Sequence, residues 1–283
     1  MVFEDLITPL KAKKYPQKLF FIGLGFSILS VLFSLWVFKN EASLVMVFLT
    51  VVMVMPLMYF TLKDEEEEDM SYRTELWILK EHMKAVKFLI YLFLGFVVGF
   101  SLFYLVLPDD TVAQLFNSQI KTIENINSNV VSGSAVSLDT FFSIIGNNIR
   151  VLIFCLIFAF FFGAGAIFIL AWNASVISAA VGTYFRNALS DYAQYVGLTK
   201  AAIYLNLFVA GIMRYMIHGV FEIGAYFIGA IAGGIISMAL VNSNYRMLKY
   251  KRIVTDVSIL IVIALGLLFI GAVIEVYLTP LIF

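Results

Sequence analysis

Cysteine is almost missing from this chain of 283 residues. Cys155 stands alone in an apolar run, so no intrachain disulfide forms and no oxidised framework holds the fold. Histidine is nearly as scarce, with His82 and His218 only. A catalytic zinc site normally takes three protein ligands, and an HExxH pair is lacking, so no zinc protease and no bound metal is expected. Charge is thin as well: 13% of residues are Asp, Glu, Lys or Arg, against about 25% in a soluble domain. The 19 basic and 19 acidic residues cancel, and without a basic excess nucleic acid is not an expected partner. The sequence has no GxSxG, no Cys–His neighbourhood and no glycine loop that would cradle a phosphate. No catalytic residue and no cofactor is expected, and the chain reads as a non-enzyme.

What fills the chain instead is apolar. The hydrophobic fraction is 62% and the mean hydropathy +0.96. A soluble fold this oily would have too little polar surface to face water, and lipid removes that requirement. A spanning helix needs about 20 apolar residues at about 1.5 Å rise each. Runs of that kind lie at 18–38, 42–62, 88–107, 151–171, 201–217, 220–241 and 257–277. The stretch 201–241 is roughly 60 Å long as one helix, about twice the hydrocarbon thickness. The reading is therefore a helical hairpin turning near His218-Gly219, with Gly211 or Gly224 as other places for the turn. The fold class is an all-α polytopic transmembrane bundle of about seven spans. Three regions follow: a two-span hairpin over 1–62, an acidic linker and helix over 63–87, and a five-span core over 88–283.

Sidedness follows from Lys and Arg. With the N-terminus cytoplasmic, fifteen basic residues fall inside, Arg186 and Lys200 among them. Only Lys39, Lys121, Arg150 and Arg214 fall outside. The expectation is a multi-pass cell-membrane protein with its N-terminus in and its C-terminus out. The polar, amphipathic start leads into a first apolar run with no small-residue cleavage site after it, so that run reads as a retained signal anchor.

Three connections are long. The first holds the acidic run Asp64–Asp69, read as a solvated cytoplasmic link before a helix over 71–87. The second, 108–148, is external. Its Val112, Leu115, Phe116, Ile120, Ile123 and Ile126 recur at helical spacing, giving an amphipathic helix on the membrane or capping the bundle. Ser132-Gly133-Ser134 breaks it, and a short apolar segment over 138–145 leads to Asn147-Asn148. The third, 172–199, is internal, and 173–185 is read as a possible re-entrant half-helix.

Polar groups inside a bilayer are costly and each needs a reason. Here they are Asn173, Asn206, Arg214, His218, Glu222, Asn242 and Glu275. Arg214, His218 and Glu222 are four apart. They stack on one face of a continuous helix, or flank a turn at His218-Gly219. A charge pair fixing the hairpin is the first reading, and a proton or ion pathway the second. Glu275, near the outer end of the last span, is expected to pair with Arg150 or Arg214. Small residues let helices approach closely in lipid. Gly95 and Gly99 form one such pair, and Ala225, Gly229, Gly233 and Ser237 form a stripe for packing within the bundle or between copies.

One set of features in order resembles a known family. Asn147-Asn148 precedes a span that passes Gly163-Ala164-Gly165 and ends at Asn173. His218-Gly219-Val220-Phe221-Glu222 follows, then a small-residue helix over 225–234, then Ile274-Glu275-Val276-Tyr277-Leu278-Thr279-Pro280. From about residue 88 onward the chain resembles the stage II sporulation protein M family of membrane proteins. The resemblance implies a scaffold subunit of an envelope complex. The namesake acts in a bacterial assembly that remodels peptidoglycan during engulfment, where the hydrolytic partners are separate proteins. The wider family also occurs in organisms that do not sporulate. The expected partners are the lipid bilayer and other membrane or envelope proteins, with homo-oligomers possible. The first two spans and the acidic segment lie outside the match.

Overall fold

The computed structural model describes residues 17–69, 75–131, 138–159, 164–189, 197–241 and 247–282. All elements among them are helical. They are α1 (Gln17–Val37), a short 3-10 turn (Lys39–Glu41), α2 (Ala42–Asp69), α3 (Glu75–Val106), α4 (Asp109–Leu115) and α5 (Asn117–Val131). There follow α6 (Leu138–Ala159), α7 (Ala164–Leu189), α8 (Gly197–Val241), α9 (Met247–Val273), a π turn (Ile274–Leu278) and α10 (Thr279–Ile282). Seven stretches are long and apolar enough to cross a membrane: Gln17–Val37, Lys39–Leu57, Val86–Val106, Leu138–Phe158, Ile167–Ala188, Ala202–Ser237 and Lys251–Ile282. Helices suit this solvent because each satisfies its own backbone where no water can.

The number of spans matches the apolar count, but the path between them differs. First, no hairpin turns at His218-Gly219. α8 is one helix of 45 residues, about 67 Å at 1.5 Å per residue. Bilayer thickness sets a minimum length for a span and no maximum, since a longer helix tilts or projects. A glycine within a helix costs only about 1 kcal/mol relative to alanine, far less than breaking the backbone ladder in lipid. Second, the run 151–171 is not one span. It straddles the end of α6 and the start of α7, two separate crossings. The re-entrant segment over 173–185 is the body of α7, a full span. Third, α2 carries on as a helix through the acidic run to Asp69 rather than ending before it.

α7 escaped notice because its polar groups face protein. Ser175 and Ser178 are fully buried, and Ser178 donates its hydroxyl to the Val97 carbonyl of α3 at 2.9 Å. A helix in the middle of a bundle does not need uniform apolarity when its neighbours meet its polar atoms. Arg186, at the end of α7, confirms the path. It pairs with Asp109 of α4 and donates to the Tyr104 and Leu107 carbonyls at the end of α3, each at 2.5 Å. Arg186 therefore shares an end of the bundle with the 108–131 connection, not the opposite end expected from the sequence.

That connection is two helices. α4 and α5 meet at Phe116, whose φ of −111° and ψ of 18° leave the helix. They cap the bundle: Val112, Leu115, Phe116 and Gln119 are buried. The Gln119 amide donates to the Ser43 carbonyl at 3.2 Å and to Ser175 Oγ at 3.1 Å, pinning α5 to α2 and α7. The break at Ser132-Gly133-Ser134, Asn242, and Gly163 lie outside the described residues.

α8 is the axis. Its inner half, from Ile223 to Ile235, is buried among α2, α3, α6, α7 and α9. α1 lies along α3, and the contact uses glycine. A Cβ on Gly95 would strike the Phe20 carbonyl, and one on Gly99 would strike Ser27 Oγ. Leu19, Val31, Val47 and Val54 of the first two helices join the same apolar cluster as Phe93 and Phe227, so the N-terminal pair packs into the core. Outward-facing residues are large and apolar, such as Phe21, Trp36, Phe48, Ile157 and Val262, as lipid requires.

Candidate functional site

Three elements converge toward the bundle end that α10 reaches. α6 brings Asn148, α8 brings His218, Glu222 and Tyr226, and the chain after α9 brings Glu275 and Thr279. The last of these is set by an irregularity. The Thr279 backbone N–H bonds to the Ile274 carbonyl five residues back, and its Oγ1 donates to the same oxygen at 3.1 Å. Pro280 explains the wide turn: it has no N–H for the Val276 carbonyl, and its ring presses on that carbonyl in a regular helix. Such π turns often mark functional positions.

Tyr226 donates its hydroxyl to Asn148 Oδ1 at 3.0 Å. Asn148 Nδ2 donates to Glu222 Oε1 at 2.5 Å. The Glu275 carboxyl lies beside that of Glu222. One turn outward, Thr279 Oγ1 lies 3.4 Å from His218 Nδ1. The Glu222 stem rests on Gly271 of α9, where an added Cβ would sit 3.2 Å from Cγ. The result is a line of polar side chains from deeply buried Tyr226 to half-buried Glu275.

The stage II sporulation protein M family model matches residues 88–280. The chain belongs to this family. No curated protein and no solved structure matches the chain. Every residue of the cluster lies in the stretch that the family model matches, whereas α1 and α2 precede it.

Four of the residues singled out from sequence meet in this site: Asn148, His218, Glu222 and Glu275. The others are elsewhere. Asn147 is exposed. Asn173 donates to the Ile169 carbonyl of its own helix at 2.8 Å. Arg214 lies over the Tyr184 ring of α7, with its guanidinium carbon 5.9 Å from the centroid. Because α8 does not turn back, about 12 Å of helix rise separates Arg214 from Glu222. The carboxyl that Glu275 meets is Glu222, not an arginine. Gly219 is buried with nothing within 4 Å of an added Cβ, so it is neither a turn nor a close contact.

The small-residue stripe faces inward. Ala225, Gly229, Gly233 and Ser237 are buried, and a Cβ on Gly229 would strike Leu152 of α6. Tyr226 was not among the residues read from the sequence, and Thr279 entered only as part of the run 274–280 with no role of its own. Tyrosine and threonine are common in spans, and only the fold shows that these two close on Asn148 and His218.

Proposed function

We propose that the chain is a non-enzymatic, multi-pass scaffold or assembly subunit of a cell-envelope complex. The observation that carries this reading is what lies inward of the cluster. Leu152, Cys155, Phe227, Ile231, Ile235, Leu260, Ala264 and Leu268 are buried apolar side chains of one packed cluster. The polar chain therefore runs from one end of the bundle to Tyr226 and meets oil. A solute path needs polar groups or water across the whole thickness. The family match adds support, since the name carries no catalytic activity.

Among the described residues, eight Lys and Arg fall toward the bundle end that holds Lys18, Lys87 and Lys251, against six toward the other, with Lys39, Arg186 and Lys200 among the six. The positive-inside tendency makes the first end cytoplasmic. The N-terminus is then inside and the C-terminus outside. The partners in this reading are lipid and other membrane or envelope proteins, nucleic acid excluded. The buried stripe on α8 leaves any homo-oligomer to other faces.

A channel or transporter is the second reading, and the membrane-embedded Asn148, His218, Glu222 and Glu275 favour it. Reconstitution decides between them. Full-length protein in proteoliposomes is expected to pass protons and monovalent cations no faster than protein-free vesicles. A flux that is abolished by Glu222→Gln overturns the scaffold reading.

A further inference from the structure

The first two helices precede the stretch that the family model matches, yet they are seated on it. α1 runs parallel to α3, with Gly23 beside Gly95 and Ser27 beside Gly99. The contact is reciprocal. A Cβ on Gly23 would strike the Leu92 carbonyl of α3, and one on Gly95 would strike the Phe20 carbonyl of α1. Small residues four apart on one helix thus meet small residues four apart on the other. Spans as oily as their solvent gain nothing by hiding apolar surface from it. Close backbone approach at small residues is how separately inserted helices associate in lipid.

A second seam is polar. Ser43 Oγ of α2 lies 2.8 Å from Ser118 Oγ of α5. The buried Gln119 amide of α5 donates both to the Ser43 carbonyl and to Ser175 Oγ of α7. Ser118, Gln119 and Ser175 lie in the matched stretch, and Ser43 precedes it. Both seams therefore join the same two parts of the chain.

We propose that the face of the family core made by α3, α5, α7 and α8 is a docking site for a membrane helix pair, and that this chain supplies the occupant, α1–α2, from its own sequence. Each part has contacts of its own. Within the pair, Thr50 Oγ1 of α2 lies 2.9 Å from Ser30 Oγ of α1, and both residues are buried. Within the core, α7 is tied to α3 without the pair. Ser178 donates to the Val97 carbonyl, and the Tyr104 hydroxyl is 2.7 Å from Thr183 Oγ1. α2 touches α8 as well, so the pair covers a broad face rather than one helix. The docking site stands under either functional reading, and its occupant closes this face to other helices in the native chain.

The test uses the full chain in mild detergent, with a protease site inserted between Met70 and Thr74 and a different tag at each end. After cutting, the N-terminal piece is expected to stay with the core through affinity purification. Gly95→Leu drives a side chain into the Phe20 backbone and is expected to release that piece. The state of the stripped core is read at Cys155, which is buried beside Gly229 of α8. In the cut Gly95→Leu core, Cys155 is expected to resist a small maleimide as it does in the native chain, and to react once SDS unfolds it. A reactive Cys155 in the stripped core makes the pair part of a single folding unit and overturns the docking site. Loss of the piece from the cut native chain, or its retention by cut Gly95→Leu, also overturns it. Should Gly95→Leu fail to fold before cutting, Gly23→Leu places the same clash on the pair and leaves the core sequence as it is.

Discussion

The Tyr226 hydroxyl of α8 donates a hydrogen bond to Asn148 Oδ1 of α6, and the two are buried where lipid surrounds the bundle. Removing the donor leaves Asn148 Oδ1 without its partner in a dry site. Tyr226→Phe is expected to cost about 1 kcal/mol, the scale measured for interhelical hydrogen bonds in membranes. Asn148→Ala removes the contact to Glu222 as well and costs more. The two losses do not add, because the amide's orientation depends on Tyr226. A double-mutant cycle on unfolding in detergent micelles measures the coupling. Strict additivity would mean that the two residues act separately.

Arg186 ties three helix ends together. Its partner Asp109 is almost fully exposed, with 93% of the side chain open to solvent. An ion pair so exposed contributes little. The carbonyls of Tyr104 and Leu107 are different: they are orphan acceptors at the end of α3, and a guanidinium there satisfies them and the helix dipole together. Asp109→Ala is expected to change unfolding free energy by less than about 0.5 kcal/mol. Arg186→Ala is expected to cost about 1.5–3 kcal/mol, in the range of charge-assisted hydrogen bonds. Arg186→Lys recovers only part, since one ammonium cannot fork to two carbonyls and an acid. Equal losses from Asp109→Ala and Arg186→Ala would place the energy in the ion pair instead.

Two glycines of similar sequence context have opposite predictions. At Gly95 an added methyl meets the Phe20 backbone, which cannot move aside as a side chain can. Gly95→Ala is expected to destabilise by about 1–3 kcal/mol through overpacking of α1 on α3. At Gly219 the space is open and the backbone helical, so Gly219→Ala is expected to be neutral or to stabilise by up to about 1 kcal/mol. Unfolding in micelles compares the pair directly. A severe loss at Gly219 would speak for a turn there.

These contrasts bear on what a sequence reveals in lipid. α1, the first part of α2, α3 and α9 stand close to where the runs of hydrophobic residues put them, because each is apolar nearly throughout, whether it faces lipid or, like α3, is largely buried in the bundle. A helix whose polar side chains meet partners on its neighbours obeys a weaker rule. Asn148 and Ser178 sit inside the bilayer region with partners on neighbouring helices, so local polarity there resembled a loop. The connection between α6 and α7 contains Phe160, Phe161 and Phe162, whose oiliness hid a boundary. In the site, Asn148, His218, Glu222 and Glu275 were visible as groups too polar for lipid. Their pairing was not, because it depends on α8 passing straight through His218-Gly219 and on the wide turn before Pro280.

The path of the chain has a direct chemical test, since Cys155 is the single native cysteine and is buried. In a Cys155→Ser background, cysteines are placed one at a time by Lys39→Cys, Asn187→Cys and Lys251→Cys, all at exposed positions. Arg186 bonds to the end of α3, so neighbouring Asn187 belongs to the same side as Asp109 and Lys39. Lys251 lies across the bundle, one span further along. A membrane-impermeant maleimide added to intact cells is therefore expected to label Lys39→Cys and Asn187→Cys alike and to spare Lys251→Cys until the membrane is opened. A hairpin at His218-Gly219 places Asn187 with Lys251 instead. Protection of Asn187→Cys together with Lys251→Cys would restore the hairpin and undo the single-helix α8. Labelling of Lys251→Cys with Lys39→Cys protected would leave the path intact and reverse only which side faces the cytoplasm.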